Sequence, residues 1–247
     1  MNTLDAILLG IVQGLTEFLP VSSTAHLTIV GKILGVVLSG EQWTAQVAVM
    51  QLGTLVAVLL YFRNDILSMS TAFIKENLNT NRVAVKEQSF DSRMAWLVMF
   101  GSVPIICFGL GFKKYIEGDL TKNLIIIGTM LILVALIMAV AEKMAQHNKS
   151  IKDVKLKDAL IIGFAQALAL IPGTSRSGAT ITAGLFLGFD REAAARFSFL
   201  LSIPAILGSG LLEMIKIIPM LSENNIVSLG IATIVSGLSG YAAIAFL

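Results

Sequence analysis

The sequence predicts an all-α membrane protein, a polytopic transmembrane helix bundle that forms one domain over residues 1–247. The first reason is composition: of 247 residues, 55% are hydrophobic and 14% are charged, which is far more apolar than an average soluble domain. The second is that apolar residues form runs near the roughly 20 residues that a helix needs to cross a bilayer. Four such runs are candidate spans: residues 46–62, 97–112, 124–141 and 226–247.

Basic residues between the spans predict how the protein is oriented. Five Lys or Arg residues fall in the loop 63–93 and five in the loop 142–157. Two spans separate these loops, so both lie on one side, which the positive-inside rule makes cytoplasmic. The loop with Lys113, Lys114 and Lys122 is then expected to face outward. A net charge of only +2, gathered in short loops, argues against nucleic-acid binding.

Some polar and aromatic residues near span ends have ordinary structural interpretations. Trp43 and Trp96 sit at span edges, where aromatic belts form. Glu213 and Lys216 lie near the end of the apolar run after Pro204, so we expect their charges to reach the membrane interface.

An internal repeat divides the chain into halves of roughly 1–112 and 113–247. Residues 7–35 match residues 160–188 at a fixed offset of 153. A second echo relates Ser-Val-Pro at Ser102 to Ser-Ile-Pro at Ser202. Membrane proteins built by duplication often place the two copies in inverted orientation, which we expect here. The identical pairs include Gly10 and Gly163, Gln13 and Gln166, Gly31 and Gly184, and Gly35 and Gly188.

Each copy contains a polar segment interrupted by proline, at Pro20 and at Pro172. The apolar stretch before each proline has about a dozen residues, which is too short to span and typical of a re-entrant element. Broken backbone at that depth is tolerated where protein or a water-filled cavity satisfies it. We therefore predict two re-entrant helix-loop-helix hairpins that meet tip to tip, with a site between them.

The first hairpin carries ionisable groups in apolar surroundings, Glu17 and His26. Such a group costs at least a few kcal/mol within a membrane unless it is paired or hydrated, which indicates function. Gln13 and Glu17 are four residues apart, so on a helix they share one face. The carboxylate can hold a divalent cation or a proton, and the structural alternative is a hydrogen bond that packs helices.

Ser22, Ser23 and Thr24 follow the proline, where a hydroxyl cluster most often caps a helix. Ser23 and His26 are three residues apart, the spacing at which a base reaches a hydroxyl nucleophile on one helical face. Two mechanisms remain open. Either Ser23 attacks phosphorus with His26 as its base, which we favour, or Ser23 positions a metal-activated water.

The second hairpin, Pro-Gly-Thr-Ser-Arg-Ser-Gly-Ala-Thr from Pro172, has the spacing of a phosphate loop. Ala179 and Thr180 stand where a Walker motif requires Lys and then Ser or Thr, which argues against a nucleotide P-loop. Glycines, a helix start near Ser177 and the Arg176 guanidinium still suit anion capture. An ion pair between Arg176 and Glu17 is the structural alternative and is compatible with function. The candidate phosphate-binding residues are Ser22, Thr24, Gly173, Thr174, Ser175, Ser177, Gly178 and Thr180.

A carboxylate, hydroxyls, a histidine and an arginine in a glycine-rich cradle are components of phosphoryl transfer. The segments from Glu17 to His26 and from Pro172 to Thr180 resemble the two signature motifs of the undecaprenyl-diphosphate phosphatase family, also known as the bacitracin-resistance family. The resemblance runs over nearly the whole chain. It implies hydrolysis of undecaprenyl diphosphate to the monophosphate and inorganic phosphate, which recycles the lipid carrier of peptidoglycan synthesis and confers bacitracin resistance. It also implies a multi-pass protein of the bacterial plasma membrane.

The resemblance assigns roles to individual residues. The first signature begins with Glu or Gln and has Glu four residues later, here Gln13 and Glu17, which we take as metal ligands for Mg²⁺ or Ca²⁺. The family's serine and histidine fall on Ser23 and His26, so Ser22 is the less favoured nucleophile. The expected catalytic residues are Glu17, Ser23, His26 and Arg176.

The residues at the chain ends add two expectations. Residues 1–10 contain Asp5 but no Lys or Arg, so they lack the basic region of a cleavable signal peptide and should belong to the mature protein. Relatives usually carry a further apolar segment beyond the position of Leu247.

Two other classes of protein, a transporter or lipid flippase and a structural scaffold, fit the sequence less well than a phosphatase. Repeated halves with broken helices also suit a transporter or lipid flippase, but transport does not need a serine beside a histidine facing an arginine cradle. A structural scaffold would have no reason to keep ionisable groups at depth. An enzyme that also moves its lipid would combine two of these roles. The expected partners are a polyprenyl diphosphate, the bilayer and a second copy of the chain as a homodimer.

Overall fold

The structure, a computed structural model, describes residues 1–36, 40–79, 82–112, 116, 123–217, 219 and 222–246. These residues form ten α-helices, and their one β contact is an isolated bridge between Lys149 and Phe189. The predicted all-α fold is confirmed. The helices are α1 (Thr3–Phe18), α2 (Ser23–Ile33), α3 (Gly40–Tyr61), α4 (Arg63–Phe73), α5 (Phe90–Gly111), α6 (Leu124–Met144), α7 (Leu156–Ala167), α8 (Arg176–Phe186), α9 (Arg191–Ile217) and α10 (Glu223–Phe246).

Five of the described helices are long and apolar enough to cross a membrane: α3, α5, α6, α9 and α10. Four of them coincide with the predicted spans. The fifth, α9, was indicated in the sequence only through the Ser-x-Pro echo at Ser202. Helix α6 has the highest mean hydropathy of the five and the smallest buried share, so it exposes most of its surface to lipid. Lys113, Lys114 and Lys122, expected in an outward loop, lie outside the described residues.

The helix boundaries recur at the offset found in the sequence. Helices α1 and α7 begin at Thr3 and Leu156, and α2 and α8 begin at Ser23 and Arg176, so each pair is separated by 153 residues. Helices α2 and α8 are both 11 residues long. Each is followed after one residue by a left-handed glycine, Gly35 with φ 69° and Gly188 with φ 89°, which is the usual way to close the last helical turn.

Helices from the two predicted repeat halves have matching packing partners. Helix α1 packs mainly on α10 and α7 mainly on α5, while α3 and α9 pack on each other. A Cβ added to Gly10 would lie 2.6 Å from the Ala232 carbonyl of α10, and one added to Gly163 would overlap Gly101 of α5. Small residues allow such close helix approach in membranes. If α1 is equivalent to α7, their packing partners make α10 equivalent to α5, and α3 equivalent to α9. The Ser-x-Pro similarity gives a different correspondence, because its two copies lie on α5 and α9.

The two basic loops meet at one end of the bundle, called here the inner end. Arg196 of α9 donates to Asp65 of α4 at 2.6 Å. A cavity of about 120 Å³ beside this pair is lined by both loops, with Asp91 from one and Lys152 from the other. The loops therefore lie on the same side, as the charge argument requires.

The position of Trp43 differs from the prediction. The residue is only 2% exposed, and its Nε1 donates to Thr28 Oγ1 at 3.3 Å. Helix α3 is the most buried of the five candidate spans, so this edge of the helix packs inside the bundle. The aromatic-belt interpretation of Trp43 is wrong.

Candidate functional site

The tips of the two hairpins face a shared cavity of about 490 Å³. Its polar lining comes mainly from the residues around Ser23 and Arg176, and its apolar walls come from α3, α5 and α9. Most of the predicted site residues line this cavity: Glu17, Ser22, Ser23, Thr24, Gly173, Thr174, Ser175 and Arg176.

Two helix N-termini point their first turns toward the cavity. Helix α8 is capped by Ser175, whose Oγ accepts from Gly178 N at 3.0 Å, as a capping serine normally does. Helix α2 is preceded by Ser22 at φ 67°, and that side chain makes no cap hydrogen bond. A serine in this region of backbone space is uncommon and marks local strain. Both N-termini place positive dipole ends where an anion can bind.

The carboxylate of Glu17 joins the predicted residues of both hairpins. Its Oε1 accepts from Arg176 Nη2 at 2.7 Å. Its Oε2 accepts from Gln13 Nε2 at 2.7 Å and from Ser23 Oγ at 2.6 Å. Glu17 is 5% exposed, so these charge-assisted hydrogen bonds form away from water, where they are strongest. The ion pair anticipated as the structural alternative therefore exists and lies in the cavity wall.

The predicted contact between Ser23 and His26 is not formed. His26 Nδ1 lies 2.9 Å from the Ser22 carbonyl oxygen, and because a carbonyl only accepts, Nδ1 must carry the hydrogen. Among the described residues, Ser23 Oγ instead donates to Glu17, a charged acceptor that binds a hydroxyl more strongly than a neutral one. His26 is also not one of the described residues that line the cavity. A catalytic role for His26 stays a prediction.

Three of the predicted phosphate-binding residues support the cavity from behind. Ser177 Oγ lies 3.0 Å from the Leu19 carbonyl oxygen and donates across the hairpin interface. Thr180 Oγ1 donates to the Arg176 carbonyl at 2.8 Å, and Gly178 packs against Ser175. None of the three residues borders the cavity as the structure describes it. These three residues make contacts within and behind the second tip, and a direct contact of theirs with phosphate stays a prediction.

Two hydrogen-bond donors of the second tip have no acceptor among the described residues. They are Thr174 Oγ1 and Arg176 Nη1, which are buried in residues that line the cavity. Buried polar atoms in proteins are nearly always satisfied, so these two donors suit an anionic ligand. Gly173 has φ 90°, and a Cβ at this position would lie 2.5 Å from the Ile127 carbonyl oxygen of α6. The turn therefore requires glycine.

The residues around Glu17 fit a hard divalent cation that has few protein ligands. Gln13 Oε1 is buried and has no hydrogen-bond partner within the described ranges, and Gln13 Nε2 donates to Glu17. Among the described residues no group of three or more His, Cys, Asp or Glu could hold a metal. Mg²⁺ is commonly bound through one or two protein oxygens, with phosphate and water completing its coordination.

The comparison with known proteins agrees with the motifs. Residues 6–247 match the family model described as bacitracin resistance protein BacA. The chain belongs to this family. It is 54% identical over 249 residues to an undecaprenyl-diphosphatase of Syntrophobacter fumaroxidans, an alignment that covers all of this chain and 88% of the relative. It is 49% identical to an undecaprenyl-diphosphatase of Chloroherpeton thalassium and 47% identical to one of Nocardioides sp., covering 88% and 87% of those proteins.

This BacA family member also has an acidic cavity residue whose position the sequence argument misplaced. Glu213 is 8% exposed and lines the cavity. Its Oε1 accepts from Lys216 Nζ at 2.5 Å, while its Oε2 is buried and has no hydrogen-bond partner in the part of the chain that the structure describes. The expectation that Glu213 reaches the membrane interface is wrong, because its helical face turns into the bundle. The available signal was an ionisable group inside an apolar run, which in a membrane indicates function by default.

Proposed function

We infer that this chain is an undecaprenyl-diphosphate phosphatase, an integral-membrane hydrolase of the bacterial inner membrane. It converts undecaprenyl diphosphate to undecaprenyl phosphate and inorganic phosphate, which recycles the cell-wall lipid carrier and confers bacitracin resistance. One structural observation carries the inference. A buried carboxylate, Glu17, holds a serine hydroxyl and an arginine at the wall of one cavity, and relatives matched along the whole chain are undecaprenyl-diphosphatases.

The cavity has two chemical characters that suit a polyprenyl diphosphate. Hydroxyls, glycine backbone and Arg176 surround one region, where a diphosphate would bind. Apolar side chains such as Val47, Ile106 and Leu212 line the rest, where the first isoprene units would pack. Ligand sites typically combine an apolar lining with a few polar groups that fix orientation.

For the chemical step we propose that Ser23 is the nucleophile. Its Oγ attacks the terminal phosphorus, the bond from that phosphorus to the bridging oxygen breaks, and undecaprenyl phosphate leaves. The hydroxyl proton passes to Glu17 Oε2, which already accepts it at 2.6 Å. Water then hydrolyses the phosphoserine and releases inorganic phosphate. The geometry favours Glu17 over His26 as the proton acceptor, because His26 contacts the Ser22 carbonyl.

Arg176 is proposed to bind the phosphate oxygens. Its Nη2 holds Glu17 at 2.7 Å, which leaves the buried Nη1 without a partner and available to an anion. Thr174 Oγ1, in the lining of the same cavity, is a second donor without a partner among the described residues, and the α2 and α8 N-termini add backbone N–H groups. Donors fixed in place before the reaction stabilise the charge that develops on phosphoryl transfer.

A divalent cation would be held by Glu17 and by the unpartnered Oε1 of Gln13. When bound, it would supply positive charge to the diphosphate oxygens and polarise the phosphoryl group. The unfilled hydrogen-bonding capacity of Gln13 supports this assignment.

For the membrane arrangement we propose two re-entrant hairpins and an inverted repeat. Helices α1 and α7 contain 16 and 12 residues, fewer than the roughly 20 needed to span, and both lead to tips at the cavity. The matched boundaries and matched packing partners support duplication. The cavity reaches Gly109 of α5 and Glu213 of α9, near the helix ends opposite the basic loops. The site is therefore proposed to open to the outer face of the membrane.

Phosphate release from purified protein tests the function. We expect the chain in detergent to release inorganic phosphate from undecaprenyl diphosphate and not from undecaprenyl monophosphate. Glu17→Gln should abolish most of this release with the folded state retained, as judged by circular dichroism. A folded wild-type protein that leaves the diphosphate intact in the presence of Mg²⁺ or Ca²⁺ would contradict the proposal.

A further inference from the structure

The cavity contains two carboxylates in different states of pairing. Both oxygens of Glu17 are occupied by protein donors, namely Arg176 on one oxygen and Gln13 with Ser23 on the other. Glu213 has one oxygen on Lys216 and one buried oxygen without a hydrogen-bond partner among the described residues. Glu213 therefore has a carboxylate oxygen that no described donor contacts, unlike either oxygen of Glu17.

Glu213 lies near the C-terminal end of α9. It follows Pro204, another cavity residue, by nine positions, which corresponds to roughly 13 Å of helix. Helix α9 starts at the inner end, where Arg196 pairs with Asp65. The residue thus lies toward the end of the cavity that is opposite the basic loops, and this region is called the outer end.

A carboxylate at the outer end poses an electrostatic problem for an enzyme whose substrate is an anionic diphosphate. A buried charged oxygen without a partner is costly, and a second anion nearby increases that cost. Lys216 balances part of the charge but contacts the other oxygen, Oε1. A hard divalent cation would satisfy Glu213 Oε2 and would attract the diphosphate, with water and phosphate as its remaining ligands.

We propose that Glu213 is an outer cation-binding residue, which binds a divalent cation in the substrate-free protein and so attracts the diphosphate before the lipid headgroup reaches Arg176. This inference rests on the proposed phosphatase function for the identity of the anion. The cation position itself is a property of the empty protein and can be examined without turnover.

Paramagnetic NMR can locate this cation. Met214 is adjacent to Glu213, so its ε-methyl, labelled with ¹³C and assigned by Met214→Leu, reports on the outer end. Titration of substrate-free protein in detergent with Mn²⁺ should broaden this methyl signal, and excess Mg²⁺ should restore it. In Glu213→Gln, the Mn²⁺ concentration that gives half broadening should rise about tenfold or more, since the amide lacks the charge that holds the metal.

Two further variants separate this site from its neighbours. Glu17→Gln should leave Met214 broadening close to wild type, because Glu17 belongs to the catalytic tips. Lys216→Gln should lower the Mn²⁺ concentration required, because a competing positive charge is removed from Glu213 Oε1. Equal broadening in wild type and Glu213→Gln, or broadening that depends on Glu17 instead, would overturn the proposal. Failure of the phosphatase function would appear separately, as absent phosphate release with Mn²⁺ binding intact.

Kinetics give a second readout of the same proposal. Glu213→Gln should raise the Mg²⁺ concentration for half-maximal phosphate release, while the rate at saturating Mg²⁺ stays near wild type. A lower saturating rate with an unchanged Mg²⁺ requirement would place Glu213 in the chemical step instead and would also overturn an outer cation position.

Discussion

Helices α2 and α8 are built alike but carry different chemistry. They have the same length and begin 153 residues apart, yet α2 begins with Ser23 and α8 with Arg176. Before α8, Ser175 caps the helix with ordinary geometry, whereas before α2, Ser22 is forced to φ 67°. Two helices with the same length and spacing thus begin at the same cavity with different side chains. In the proposed mechanism Ser23 of α2 supplies the nucleophile and Arg176 of α8 supplies the positive charge.

The largest loss is expected for the residue that makes α2 different, Ser23. Ser23→Ala removes the attacking oxygen and should reduce phosphate release by several orders of magnitude. The double variant with Glu17→Gln should lose little more than either single variant, because residues of one catalytic unit are strongly non-additive. Fully additive losses, or robust release by Ser23→Ala with Ser22 intact, would favour a metal-activated water.

The matching experiment on α8 concerns Arg176. Arg176→Lys should be nearly as damaging as Arg176→Ala, with a loss of about 10³-fold in rate, because lysine cannot bind Glu17 and two phosphate oxygens in one plane. Arg191→Lys is the control, since Arg191 is exposed and pairs with Glu142 away from the cavity. Wild-type activity in Arg176→Lys would remove Arg176 from the phosphate.

A smaller effect is expected for His26. If Glu17 is the proton acceptor, His26→Ala only loosens the start of α2 by removing the contact with the Ser22 carbonyl. The loss in rate should stay below about 10²-fold, the lower range for general acid-base catalysis. A loss as large as that of Ser23→Ala, with the pH profile flattened near neutrality, would restore the serine-histidine mechanism.

The repeat offers a matched pair for the smallest effects. Gln13 and Gln166 occupy equivalent positions, and both are fully buried, but only Gln13 contacts a carboxylate. Gln13→Leu should slow phosphate release about ten- to a hundredfold, the equivalent of roughly 1.5–3 kcal/mol for a hydrogen bond to a charged group. Gln166→Leu should keep full activity.

The two variants should also differ in stability. Neither side-chain polar atom of Gln166 has a hydrogen-bond partner among the residues that the structure describes, so Gln166→Leu should raise the free energy of unfolding by about 1 kcal/mol. Thermal denaturation in detergent measures this difference. Loss of activity in Gln166→Leu would show that the two copies share the site more evenly than their contacts indicate.

Much of this arrangement could be predicted because it depends on spacing. The contact between Gln13 and Glu17 follows from their i, i+4 spacing on a helix. The meeting of Glu17 with Arg176 follows from two interrupted segments that lie tip to tip. The offset of 153 also predicted where α2 and α8 would correspond.

The contacts that could not be predicted depend on side-chain direction. The i, i+3 spacing of Ser23 and His26 places them on one face but leaves the hydroxyl free to rotate toward Glu17, the stronger acceptor. The inward direction of Glu213 depends on which face of α9 meets the cavity, and an apolar sequence with a weak polar stripe does not specify that face. Tertiary packing decided both.

The pairing of Glu17 with Arg176 has a consequence for biosynthesis. The two residues are 159 positions apart, and chains grow at about 5–20 residues per second. For roughly 10 to 30 seconds, then, the nascent chain contains the acid but not its counter-ion. A charged carboxylate without a partner is costly in hydrocarbon. We therefore expect Glu17 to stay hydrated or protonated until the segment that carries Arg176 has been synthesised.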